Sequence, residues 1–328
     1  MRLSLDSYAE SIEVSGRQDL SDITILLAPG ATPKRPSHEQ PLLTGLSDCK
    51  KLKQIFIRLP SWVDFSSLEA CVNLLGIDLA DCNSKQTLAL PNSLQILRLA
   101  RSTFPRLTDA PPSLNYLVIE DSVVDDPVFL QGNIIEIRIH SSQLVFARLP
   151  KTIEHLSLYD VSFGELGLLN NIMDVGDCYI SQSRISQSFS LKNCKMLRLS
   201  SCRISADVVI SGRYDFFYLC ASSNQDRLDI FDDGFYATEM SFEGEAVMNC
   251  ETLQMISMRC RKLNFGMLDT QRKRFPDLSN SKLESLSIGS VSGVRKLARS
   301  LLPDSLRSLT FRGKEVFADS SSKDIFLS

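Results

Sequence analysis

The feature that most constrains this chain is a short apolar phrase rewritten about every twenty residues. Ser93-Leu94-Gln95-Ile96-Leu97-Arg98-Leu99-Ala100-Arg101-Ser102 sets apolar residues at positions one, four and six and a small polar residue at nine. The same spacing returns at Leu114, Leu117, Ile119, Ser122; at Ile134, Ile137, Ile139, Ser142; and at Ile153, Leu156, Leu158, Val161. Copies follow at Val175, Cys178, Ile180, Ser183; at Cys194, Leu197, Leu199, Cys202; and at Tyr214, Phe217, Leu219, Ser222. A period this regular makes each copy one supersecondary unit that buries its apolar face only against its neighbours.

Upstream copies stand at Leu74, Ile77, Leu79, Cys82, at Leu52, Ile55, Ile57, and at Leu20, Ile23, Ile25. Downstream the pattern reads as Ala237, Met240, Phe242; Leu253, Ile256, Met258; Leu283, Leu286, Ile288; and Leu306, Leu309, Phe311. From Leu52 to Leu306 the first positions lie 22, 20, 20, 20, 19, 22, 19, 20, 23, 16, 30 and 23 residues apart. The irregular last intervals call for an insertion or another register. Leu97, Leu117, Leu156 and Leu197 are expected to be fully buried.

The phrase resembles the leucine-rich repeat, L-x-x-L-x-L-x-x-N/C-x-L, over residues 50–312 and most strongly from Leu74 to Ser222. The ninth position departs from it, being Cys at 82 and 202 and elsewhere mostly Ser. A Ser hydroxyl both donates and accepts, but with a shorter reach than Asn. The resemblance implies a β-dominated, curved solenoid of the α/β type, with about 12 short parallel strands and little helix. Twenty residues leave no room for a long convex helix, and Pro91, Pro105, Pro111, Pro112 and Pro150 disfavour one. Extended or 3-10 segments are expected there, with one helical turn at 166–170. The Leu-Pro-x-Ser/Thr lead-ins before Leu94, Ile153 and Leu306 are similar to the short repeats of bacterial effectors. Residues 1–48 read as a hairpin-like cap, 49–312 as the solenoid (irregular over 223–312, with an insertion at 262–282), and 313–328 as a frayed tail.

A net charge of −3 argues against a nucleic-acid partner. No run approaches the 18 apolar residues of a membrane span, and Met1 to Glu10 has no apolar signal core. The nine cysteines form no C-x-x-C pair and mostly fall where small apolar residues belong. They read as buried free thiols in a reducing compartment, cytosol or nucleus. Arg272-Lys273-Arg274 reads as a solvated loop.

Strand side chains alternate, so positions three, five and seven project from the concave ribbon. Those rows hold Tyr116, Arg138, His140, Tyr159, Tyr179, Arg198, Phe216 and Tyr218, the candidate partner-binding residues. Tyr and Arg at exposed positions suit a protein-binding hot spot. The row Glu120, His140, Tyr159 has the residue types of an acid–base relay, but an open ribbon gives no water-excluding pocket. His155 falls four residues out of step with His140, about 13 Å away, too far to share a metal. No phosphate loop, G-x-S-x-G or H-E-x-x-H is present. The sequence therefore reads as a non-catalytic recognition module with no cofactor and no metal. Two alternatives are the substrate-reading part of a ubiquitin ligase, by resemblance to fungal F-box/leucine-rich repeat proteins, and a pathogen effector. No convincing F-box stands in residues 1–48.

Overall fold

In the computed structural model, the chain folds through repeated parallel strands. The structure describes residues 2–5, 12–13, 17–27, 43–58, 65–126, 128–143, 146–161, 166–205, 207–220, 231–247, 250–269, 275–292, 294, 296–316 and 324–326. They form two compact units, Met1–Ile172 and Met173–Ser328. Each unit is a β-solenoid.

In the first unit, strands at Asp22–Leu27, Gln54–Arg58, Gly76–Ala80, Ile96–Ala100, Tyr116–Glu120, Asn133–His140 and Thr152–Tyr159 pair in sequence order, all parallel. Equivalent positions meet across every ladder: Ile77 pairs Leu97, Leu97 pairs Leu117, and Leu117 pairs Ile137. That register is what burial demands, because a slip of one residue would turn each apolar set outward. Leu97 and Leu117 are fully buried and Leu156 is 2% exposed. Phe65 and Phe104 meet edge to face in this core, 5.4 Å apart.

The ninth-position serines solve the problem of chaining the repeats. Ser102 Oγ accepts the Cys82 N–H at 3.0 Å, Ser122 Oγ accepts the Ser102 N–H at 3.0 Å, and Ser142 Oγ accepts the Ser122 N–H at 3.1 Å. Each hydroxyl also donates to the carbonyl two residues back, Ala100, Glu120 and His140 respectively. The ladder stops at Ser142 because the next ninth position is Val161, which has no acceptor. Just before each of these residues the chain takes a left-handed turn at a non-glycine position eight. It does so at Asp81, Arg101, Asp121, Ser141 and Asp160, with φ between 44° and 59°. Such a conformation costs about 1–2 kcal/mol. It is offset by an N–H bond into the next repeat, as from Arg101 to the Glu120 carbonyl at 2.8 Å.

In the second unit, parallel strands run at Asp174–Ser181, Phe189–Ser200, Ile210–Cys220, Phe231–Val247, Cys260–Asp269, Ser285–Ser292 and Ser308–Phe311. Several are long, with 12, 11 and 17 residues for the second to fourth. Phe189–Ser200 and Ile210–Cys220 stay paired around a register shift at Leu191/Asn193. Gly212 makes that possible: its φ is +124°, and a Cβ there would stand 1.9 Å from the Leu191 carbonyl oxygen. Phe217, Phe231 and Phe235 fill the core with ring centroids 4.3 to 5.4 Å apart. Leu197 is fully buried.

Four sequence expectations need correction. Leu253 and Ile256 do not lie on a strand but on the α-helix Cys250–Met258, and the strand follows at Cys260–Asp269. Ala237 pairs Cys260, so position one recurs at 237, 260, 283 and 306, a constant interval of 23 residues. The expected insertion at 262–282 is thus in part the core strand that buries Leu263 and Phe265. The N-terminal segment holds no hairpin among the described residues: Arg2–Leu5 runs parallel to Asp22–Leu27, and Ile12–Glu13 parallel to Leu43–Thr44. The tail contains strands too, as Asp324–Phe326 pairs antiparallel with Lys296–Ala298. Gln271 to Arg274 lie outside the described residues. Elsewhere the return segments are extended or 3-10, including the turn at Leu166–Asn171.

Candidate functional site

The outward face of each ladder carries positions three, five and seven, and the eight candidate residues fall on it in two groups of four. In the first unit, Tyr116, Arg138, His140 and Tyr159 lie on three consecutive strands. Tyr116 is 36% exposed and pairs with Glu136, whose Oε1 is 2.5 Å from Arg138 Nη2. Glu120, His140 and Tyr159 are side by side in register. Their contacts differ from a proton relay. His140 and Tyr159 stack face to face, centroids 4.4 Å apart at 22°. Glu120 is engaged by Arg98 at 3.0 Å, and the nearest acid to His140 Nδ1 is Asp121 at 3.8 Å. Next to Arg98, burial pushes the Asp78 carboxyl up from its ordinary value, with the Arg98 charge acting the other way. Arg138 and the Arg98 and Glu120 side chains beside this group are thus engaged in ion pairs on the face itself.

In the second unit, Tyr179, Arg198 and Tyr218 occupy position five of adjacent strands, in direct register. Adjacent strands are about 4.8 Å apart, which is a stacking distance. Accordingly the Arg198 guanidinium carbon sits 5.4 Å from the Tyr179 ring centre and 4.5 Å from that of Tyr218. Each such contact is worth about 0.5–1 kcal/mol at a partly exposed site. Phe216 stacks on Tyr218 at 6.3 Å from the next position up the strand. Its ladder neighbour Met196 is 38% exposed. The rings of Tyr179, Phe216 and Tyr218 are half-buried and Arg198 is exposed.

The face changes character beyond Tyr218. Row five continues as Ser241, Asn264, Ser287 and Thr310, and row three as Glu239, Lys262, Ser285 and Ser308. Glu239 is tied to Lys262 at 3.8 Å and to Asn264 at 3.0 Å. The aromatic group is therefore bounded on one side by a small polar surface. Met196 and Glu239 were not among the residues singled out from the sequence, although the 23-residue interval from Tyr214 to Ala237 already places Glu239 beside Phe216.

No group of three metal-binding side chains is present among the described residues, and none of their helices is long and apolar enough to cross a membrane. Cys49, Cys71, Cys82, Cys178, Cys194, Cys202 and Cys260 are buried free thiols. Burial pushes Cys71 up to about 11 and Cys194 to about 12, so neither supplies a thiolate near neutral pH. Comparisons of the chain with protein-family models, curated proteins and solved structures return no match.

Proposed function

We propose that this chain is a non-catalytic recognition module that binds a protein partner on the outward face of its ladder, centred on Tyr179, Arg198, Phe216 and Tyr218. The observation that carries the reading is the Arg198 guanidinium held between two half-buried tyrosine rings. Large rings with polar edges, packed into one rigid cluster, lose little conformational freedom on binding and offer wide contact area. The polar rows beyond Ser241 supply the contrast between a hot centre and its surround. The Tyr116, Arg138, His140 and Tyr159 group is a second, more polar contact area on the first unit. The buried free thiols support a reducing compartment, cytosol or nucleus.

The test is affinity purification from extracts of the source cell with the parent chain and with the Tyr179→Ala/Tyr218→Ala double variant. A protein retained by the parent and lost by a folded variant is the expected outcome. A cullin adaptor among the captured proteins would favour the ubiquitin-ligase role. Identical captured sets would refute the assignment of the site.

A further inference from the structure

Arg198 differs from the other arginines of the outward face. Arg58, Arg98 and Arg138 each face a carboxylate, of Asp81 at 3.6 Å, Glu120 at 3.0 Å and Glu136 at 2.5 Å. Arg312, in the last repeat, lies over the single ring of Phe311 at 5.3 Å. Arg198 lies between two rings and meets no carboxylate among the described residues. A guanidinium flanked by two rings keeps its five N–H donors, and a carboxylate suits them because it binds through two parallel N–H bonds.

The surroundings restrict what carries the carboxylate. Met196 and Phe216 pair at position three, two residues along the strands from Arg198 and Tyr218. Two residues of strand span about 7 Å. Asp177 flanks this apolar pair on one side and Glu239 on the other. Glu239 is paired with Lys262, but a ligand with negative charge at every unit would still set a charge beside the Asp177 carboxylate, and like-charge juxtaposition is how a surface rejects the wrong partner. This disfavours the phosphate chain of single-stranded nucleic acid and a polyacidic run, although aromatic rings with an arginine otherwise suit both.

We propose that the second unit binds an extended peptide segment with one carboxylate at Arg198 and an apolar side chain two residues away on Met196 and Phe216. In extended chain, residues two apart point to the same side about 7 Å from one another, matching the separation of the two subsites. The inference rests on the reading of this face as a protein-recognition surface and names the chemistry it recognises.

A phage library of random ten-residue peptides, panned on the immobilised full chain, supplies the probes. Enriched peptides are then labelled with fluorescein and titrated by anisotropy. The expected sequences carry Asp or Glu two positions from Leu, Met, Phe or Tyr. Replacing that acid by its amide should weaken binding to the parent at least about tenfold, and Arg198→Gln should cost as much. The two changes together should cost no more than either alone. Arg198→Lys should recover little of the loss, Arg312→Gln should bind as the parent does, and melting temperatures should fall by no more than about 3 °C, the loss of two ring contacts. Peptides with no acidic preference, or unchanged binding by Arg198→Gln, would overturn the inference. If such peptides still lost affinity for Tyr179→Ala/Tyr218→Ala, the recognition face would stand and only its acid specificity would fall. No enrichment over a blank surface would count against both. Displacement of the peptide by a 20-residue oligouridine at comparable affinity would also overturn the inference, in favour of single-stranded RNA.

Discussion

Replacing Ser122 by alanine tests the device that joins the repeats. Ser122 is 2% exposed, and its Oγ accepts the Ser102 N–H at 3.0 Å while donating to the Glu120 carbonyl at 2.7 Å. The carbonyl keeps a partner after truncation, because the Arg101 N–H also reaches it at 2.8 Å. The Ser102 N–H does not, and Ser102 is itself 1% exposed. The loss is one net hydrogen bond, about 1 kcal/mol, plus the penalty of a buried orphan donor, about 1–3 kcal/mol, for a total of about 2–4 kcal/mol. Ser122→Cys should cost less, because Cys202 occupies the same position with its Sγ 3.5 Å from the Ser200 carbonyl. Equilibrium urea unfolding followed by far-ultraviolet circular dichroism gives both values, with exposed Ser300→Ala as the reference. If Ser122→Ala shifts stability no more than Ser300→Ala does, the ladder is not a stabilising device and the argument fails.

Gly212→Ala should destabilise by more than about 3 kcal/mol, since it combines left-handed backbone with a direct clash on the Leu191 carbonyl. Gly313→Ala, also left-handed but with nothing within 4 Å, should cost only about 1 kcal/mol, and equal losses in thermal unfolding would contradict the geometry. Thiol labelling of the native protein at pH 8, mapped by mass spectrometry, should modify the half-buried Cys220 well before Cys71 and Cys194, which should stay intact until the chain unfolds. Labelling of Cys194 as fast as Cys220 would speak against a packed core. The hydrogen bonds from Arg101 hold the Asp81 carboxyl below its ordinary value. A depressed folded value contributes stability that is present above the unfolded value of about 4 and is lost as pH falls through the folded one. Arg101→Gln should therefore flatten the stability profile below about pH 4, and an unchanged acid limb would refute the coupling.

Much of the fold was legible because one phrase carries two independent signals. The apolar set at positions one, four and six defines the core, and the fixed period sets which residues become ladder neighbours. Tyr179, Arg198 and Tyr218 could thus be placed in one row from numbering alone. The register failed at Leu253 and Ile256 for a physical reason. An i, i+3 apolar pair serves positions one and four of the repeat and one face of a helix equally well. The true first position, Cys260, is small and marks itself only by the 23-residue interval to Ala237 and Leu283. The length of the strands at Phe189–Ser200 and Phe231–Val247 was illegible too, since it depends on how neighbours stay paired past a bulge. At the candidate site, the rows were readable but the pairing of charges was not. Whether Arg98 or Arg198 finds an acid depends on side-chain reach across strands, and only the structure places Glu120 on one and two rings on the other.

The central claim is that the aromatic group of the second unit is a binding surface rather than padding on the sheet. Isothermal titration of the purified partner into the parent chain and into Tyr218→Ala, with melting temperatures recorded alongside, tests it most directly. A hot-spot ring is worth about 2 kcal/mol or more in binding, so Tyr218→Ala should weaken affinity at least about 30-fold while the melting temperature falls by no more than about 3 °C. Unchanged affinity together with a lowered melting temperature would show that the ring only packs against the ladder, and would contradict the claim.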